Sequence, residues 1–207
     1  MTISHVITRD NSGKITKILS KSAMPIASSD STVYWPTYVT GTSRLAYVKA
    51  TRYGGFLGDI NDSAIYVYNA VGQVIQREIF SDFLGTMAAT TKNTFTYDAN
   101  GNLLVNTQYS TDLLTGSYSQ SAVTTNTWGT HKAGVTLGEE AMISLDPVNV
   151  SKNELVKQVT NAVQSGSTYT FTASEQLYNS FDRPTKSTLN VMPQPPGFTN
   201  KITYFYQ

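Results

Sequence analysis

The chain has 207 residues, a formal net charge of +1 and charged side chains at 14% of positions. So neutral a surface sets up no long-range field, which excludes nucleic acid as a partner. Cysteine is absent, which removes disulfides, thiolate metal centres and a cysteine nucleophile from consideration.

From the N-terminus, Met1-Thr2-Ile3-Ser4-His5-Val6-Ile7 enters a strand-like alternation without a leader, so a signal segment is expected to have been removed or never to have existed. Arg9-Asp10-Asn11-Ser12-Gly13-Lys14 is a turn signature: Asp opens a type I turn, and Gly stands where the backbone must turn left-handed. Segment 20–36 is rich in Ser and ends in Tyr34-Trp35-Pro36; it reads as an irregular crossing or an edge strand blunted by proline. Leu45–Ala50 is a strand that leads to the glycine-rich loop at 54–59. Asp59-Ile60-Asn61-Asp62 has the oxygen ligands a calcium ion would need but not their spacing, so turn chemistry is the expectation there.

The turn signature returns at Tyr68-Asn69-Ala70-Val71-Gly72-Gln73, at Tyr97-Asp98-Ala99-Asn100-Gly101-Asn102 and at Tyr178-Asn179-Ser180-Phe181-Asp182-Arg183. In the last copy Asp182 holds the Gly place, which Asp tolerates better than most residues. Period-two alternation flanks these turns, as in Thr94-Phe95-Thr96-Tyr97 and Thr168-Tyr169-Thr170-Phe171, and predicts hairpins at about 2–20, 64–80, 93–110 and 168–191. Further turns are expected at 112–116, at 165–167 and at Asp146-Pro147. Ser151-Lys152-Asn153-Glu154 has the form of a helix capping box, but the β-branched Val156, Val159, Thr160 and Val163 that follow favour a strand. Ile65–Tyr68 and Ile202–Tyr206 carry large apolar groups on both faces and are expected in the core.

These elements predict an all-β fold, a mostly antiparallel meander of repeated hairpins in one large twisted or curved sheet with little or no helix. Residues 1–207 read as one β domain with a weak subdivision near 112–150. No apolar run approaches the roughly 20 residues of a membrane helix, so no membrane insertion is expected of this stretch. Asp10, Asn69, Asp98 and Asn179 stand 59, 29 and 81 positions apart, which fits a decayed repeat of about 29 residues with some turns lost.

The stretch Thr94-Phe95-Thr96-Tyr97-Asp98-Ala99-Asn100-Gly101-Asn102-Leu103 resembles the YD motif of RHS/YD-repeat surface proteins. Ser151–Val159, Tyr169-Thr170-Phe171 and Phe181–Lys186 resemble the C-terminal part of many Bacteroidota cell-surface lipoproteins of unassigned function. The resemblance implies an all-β extracytoplasmic module at the cell surface or in the periplasm, tethered by a lipidated Cys upstream. It brings no catalytic residues with it.

Reactive groups are sparse. His5 and His131 are the two histidines, far apart and in unlike contexts, and no G-x-S-x-G elbow accompanies them. Gly54-Gly55-Phe56-Leu57-Gly58 lacks the Lys-Ser/Thr ending of a phosphate loop, and Glu139-Glu140 would point to opposite faces of a strand. No catalytic, cofactor or metal residue is therefore assigned. Exposed aromatics remain, and Tyr34, Trp35, Tyr38 and Trp128 are the expected ligand-binding residues, able to stack on sugar rings or to bury a partner's side chains.

The leading expectation is a non-catalytic scaffold or binding module of the cell envelope, with a glycan or another envelope protein as partner. Alternatives are a glycan hydrolase whose carboxylates converge in space and a subunit that self-assembles through strand edges.

Overall fold

The computed structural model describes residues 2–23, 30–53, 59–83, 85–133, 143, 151–193 and 200–203. It contains strands β1 (Thr2–Arg9), β2 (Ile15–Ala23), β3 (Asp30–Tyr38), β4 (Leu45–Tyr53), β5 (Ile60–Tyr68), β6 (Val74–Phe83) and β7 (Thr86–Tyr97). The rest are β8 (Leu103–Thr111), β9 (Tyr118–Lys132), β10 (Asn153–Ala162), β11 (Ser167–Tyr178), β12 (Pro184–Met192) and β13 (Asn200–Thr203). Strand order in the sheet equals order in the chain, so the expected antiparallel meander is the fold. Ile143, wholly buried, is the one helical position among the described residues.

All four predicted hairpins form, and the contested segment after Ser151 is strand β10. Three expectations are corrected. Of the stretch Ile65–Tyr68, expected in the core, Ile65 and Val67 are 40% and 46% exposed. β3 is paired on both sides, with β2 and with β4, rather than being an edge or a crossing. Pro36 is tolerated there because pairing with β2 ends at Tyr34, so its missing N–H falls beyond that ladder while Pro36 still stands opposite Val48 of β4. Ile60, Asn61 and Asp62 open β5 instead of a turn. The glycine-rich loop at 54–58, Glu139-Glu140, Asp146-Pro147 and the last four residues lie outside the described residues.

The turns share one geometry. In each of the four signature copies the first Asp or Asn accepts, at its carbonyl, the N–H three residues on, and donates its own N–H to the carbonyl four residues on: Asp10 to Lys14, Asn69 to Gln73, Asp98 to Asn102, Asn179 to Arg183. The side-chain oxygen then caps the turn, as where Asp98 Oδ1 accepts from Asn100 N at 2.9 Å and Asn102 N at 2.8 Å. The residue after the midpoint is left-handed, with φ of 85° at Gly13, 89° at Gly72 and 86° at Gly101, and 65° at Asp182. A fifth turn that the signature did not reveal, Val39–Arg44, uses the same backbone scheme with one more residue, Val39 N donating to Arg44 O at 2.8 Å.

That turn restores the repeat. The strand openers Ile15, Leu45, Val74 and Leu103 recur every 29 or 30 residues and are all buried. A side chain on a later strand returns to several of them. Tyr38 hydroxyl donates to Ile15 O at 3.0 Å, Tyr68 hydroxyl donates to Leu45 O at 3.2 Å and accepts Leu45 N–H at 2.8 Å, and Trp128 Nε1 donates to Leu103 O at 2.8 Å. In the first two, a cation covers the ring: Lys14 over Tyr38 at 5.3 Å and Arg44 over Tyr68 at 5.5 Å.

The chain divides into two compact units. Unit 1 comprises Met1–Asn93, Ser110–Ser119 and Met142–Asp146, and its core includes Ile15, Ile18, Val33, Leu45, Val48, Ala50 and Ala64. Unit 2 comprises Thr94–Tyr109, Gln120–Ala141 and Pro147–Gln207. Around Phe95 and Leu103, unit 2 buries an unusually polar set, Asn102, Asn126, Ser151 and Glu154. Three of them are fully engaged, which is the condition for burying such groups: Asn102 Oδ1 accepts from Lys152 N and Asn153 N, Ser151 Oγ accepts from Leu103 N, and Asn126 Nδ2 donates to Leu103 O. Glu154 is engaged at Oε1 and leaves Oε2 without a hydrogen bond among the described residues.

Candidate functional site

In unit 1 the hairpin registers put residues from four strands in line. Trp35 stands opposite Lys49, Lys49 opposite Ser63 and Ser63 opposite Phe80, forming one transverse row across β3, β4, β5 and β6. With strands about 4.8 Å apart, the two aromatics at the ends of the row are separated by roughly 14 Å. The next row on the same face is Val33, Thr51 and Asn61. The first row, Thr51, Asn61 and Met87 line a cleft of about 500 Å³.

Because successive strand residues alternate faces, the neighbouring row Tyr34–Ala50–Asp62–Ser81 looks the other way. That face holds most of the core: Val48, Ala50 and Ala64 are buried there, and Val33 is buried on the cleft face. It also holds a smaller cavity of about 290 Å³ bordered by Tyr34, Arg52, Asp62, Ser81 and Thr90. Burial there raises the pKa of the Tyr34 and Tyr66 phenols. Asp62 is fully committed on that side: it accepts from Arg52 Nε at 2.9 Å and from Ser81 Oγ at 2.6 Å.

On the cleft face the polar groups are differently disposed. Thr51 Oγ1 donates to Asn61 Oδ1 at 2.9 Å, which occupies one lone pair of the amide oxygen and leaves the Asn61 amide N–H groups. Lys49 is exposed, and its ammonium has no partner among the described residues. One row further, Glu78 stands opposite Ile65, and its carboxylate accepts the Tyr118 hydroxyl while Lys92 lies 4.4 Å over the Tyr118 ring. Trp35, Tyr47, Ile65 and Val67 of this face remain 37–46% exposed, an apolar surface beyond what scattered surface residues provide.

The four aromatics singled out from the sequence thus go to different places. Trp35 lines the cleft. Tyr34 faces the opposite side, and Tyr38 and Trp128 spend their polar atoms on the strand openers Ile15 and Leu103. Lys49, Ser63 and Phe80 escaped sequence reading because only register brings them beside Trp35.

A second cluster lies in unit 2. His131 of β9 stacks on the Tyr178 ring, centroids 3.9 Å apart, and its Nδ1 bonds the Asp182 carboxylate. Glu154, 5% exposed, accepts His131 N–H at 3.3 Å and rests against Gly129, where an added Cβ would meet Glu154 Cδ at 2.8 Å. Desolvation foremost, then the bond to Glu154, push the Tyr178 phenol up to about 12. The Asp182 hydrogen bond raises His131, and the same bond lowers Asp182. His5 lies in β1, with its side chain outside the described residues.

The fold has known counterparts. A porin-like protein from Bacteroides vulgatus superposes with a TM-score of 0.55 over 99% of this chain and 97% of its own, at 12% identity. A porin-like protein from Bacteroides uniformis gives 0.49 over 96% and 87%, at 13% identity. A protein of unknown function from Bacteroides fragilis gives 0.37 over 57% and 88%, at 14% identity. At these identities it is the first likeness that supports a shared fold, and it supports the fold alone. No protein-family model and no curated protein matches the chain.

Proposed function

We propose that this chain is a non-catalytic binding module of the bacterial cell envelope, with the β3–β6 cleft as its ligand surface and a glycan as its ligand. The carrying observation is the row that sets Trp35 and Phe80 at either end of a polar stretch, Lys49 and Ser63, with Thr51 and Asn61 alongside. Sugar rings have C–H-rich faces that stack on aromatics and hydroxyl edges that need hydrogen-bonding groups between the stacking points. The arrangement supplies both kinds of contact on a rigid sheet.

Asp62, the one carboxylate that borders the cleft among the described residues, points to the other face and is held by Arg52 and Ser81, which favours binding over hydrolysis. The name of the structural neighbour raises a different possibility, a sheet that faces lipid. Lys49 in the middle of the exposed row weighs against it, since a Lys at bilayer depth costs about 2–4 kcal/mol. An extracytoplasmic location with a lipidated Cys upstream rests on the resemblance of the YD turn and of Ser151–Lys186 to cell-surface proteins.

The test is a glycan array followed by calorimetric titration of the best oligosaccharide. Trp35→Ala should weaken binding by about tenfold, the scale of one lost stacking contact, while Trp128→Ala, on a residue bonded to Leu103, should not. Unchanged affinity in Trp35→Ala, or no glycan bound by the parent protein, would overturn the reading.

A further inference from the structure

We infer that the cleft selects acidic saccharides, sugars bearing a carboxylate or sulfate, and that Lys49 is the residue that reads the charge. This rests on the binding reading above and goes further by naming the ligand's chemistry.

The inference comes from accounting for donors and acceptors on the cleft face. Asn61 has committed one of the two lone pairs of its amide oxygen to Thr51 and retains both N–H donors. Lys49 offers three donors and a full charge, without a partner among the described residues. The carboxylates that could answer this charge are engaged elsewhere: Asp62 on the opposite face with Arg52 and Ser81, Glu78 with Tyr118. Ser63 is the one group in the central row that both donates and accepts. What the cleft presents between its aromatics is therefore rich in donors, and a ligand rich in acceptor oxygen satisfies it.

Geometry narrows the choice further. Lys49 is the immediate cross-strand neighbour of Trp35, so its ammonium lies beside the stacking platform. A ring stacked on Trp35 would bring an anionic substituent on its edge to Lys49 and leave its remaining hydroxyls to Ser63 and Asn61. An aliphatic acid would match the apolar walls and the charge equally well, but its chain would cover Ser63 and Asn61 and leave their polar atoms unpaired, which disfavours it.

The experiment is titration calorimetry on the intact chain with three probes at equal ionic strength: a trigalacturonate, the neutral galactotriose and a medium-chain fatty acid. The parent protein should bind the trigalacturonate about tenfold more tightly than the neutral trimer, the scale of one charge-assisted hydrogen bond. Raising the salt should shrink that ratio. Lys49→Gln should bring the two sugars to within about twofold of each other, most of the loss falling on the acidic one, and an unchanged far-ultraviolet spectrum and melting temperature verify its fold. Equal affinity of the parent for both sugars, an acidic preference that survives Lys49→Gln, or tighter binding of the fatty acid would each overturn the inference while leaving stacking at Trp35 intact. Failure of all three probes to bind would overturn it together with the glycan reading.

Discussion

Asp182 and Gly129 each depart from the local rule for their position, and both departures serve the same cluster. Three sister turns use Gly at the left-handed position, and Asp there costs about 1 kcal/mol of backbone preference. In return its carboxylate reaches His131. The linkage has a definite sign. His131 is raised from 6.5, so its contribution is complete below that value and is lost as pH climbs through the higher folded value. Asp182 is lowered from 3.8, so its contribution is present above that value and lost as pH falls through the lower folded one. Asp182→Asn keeps a residue that tolerates the turn, and its melting temperature should fall below the parent's at pH 5.5 and approach it by pH 9. A gap that widens with pH would contradict the pairing. At Gly129, substitution by Ala pushes a Cβ into the buried Glu154 carboxylate and should destabilise by about 1–3 kcal/mol. Combining it with Glu154→Ala should cost clearly less than the two single losses added together, since both act on one contact. Neither cluster residue betrays its partner in sequence: His131 and Asp182 lie 51 positions apart. The one visible hint is the Asp in a Gly position.

Among elements, the turns were the most legible part of the sequence because their chemistry is local. Asp or Asn caps its own turn, and Gly three residues on supplies the left-handed backbone, so five residues carry the whole instruction. Val39–Arg44 was hidden because Val39 has no side-chain acceptor; Thr42 Oγ1 takes over by accepting from Arg44 N at 3.1 Å. β3 is not legible as an inner strand because Pro36 forbids a ladder bond on one side only, and which side is free depends on where pairing with β2 stops. The caps are not equivalent. Asp98 also accepts from Asn102 Nδ2 at 2.9 Å, and Asn102, 1% exposed, continues to Asn153 at 2.9 Å, whereas the cap of Asp10 is exposed. Asp98→Ala should therefore cost about 1–3 kcal/mol, and Asp10→Ala less than about 1 kcal/mol, in chemical denaturation. Equal losses would mean that the buried network adds nothing beyond the turn.

Across the whole molecule, the repeat proves better kept than its sequence trace suggests, because it resides in strand openers and in the rings that return to them rather than in a consensus. Ile15, Leu45, Val74 and Leu103 differ in side chain but all are buried, and Tyr38, Tyr68 and Trp128 meet three of their carbonyls. Tyr68 has the fullest clasp, since it bonds both N–H and C=O of Leu45. Tyr68→Phe should lower unfolding free energy by about 1–2 kcal/mol with an unchanged denaturant slope; a neutral substitution would show these clasps to be incidental. The cleft was legible only at Trp35, because its other walls come from strands whose register no single stretch of sequence states.

One consequence of a sheet that follows chain order concerns how it is built. Each strand finds its partner in the strand just made, and apart from the 20 residues between β9 and β10 the closure entropy of each step is that of a short loop. A β protein of this size would ordinarily be slow to form. Here nucleation can start at any capped turn and proceed outward by one strand at a time, as in linear repeat proteins.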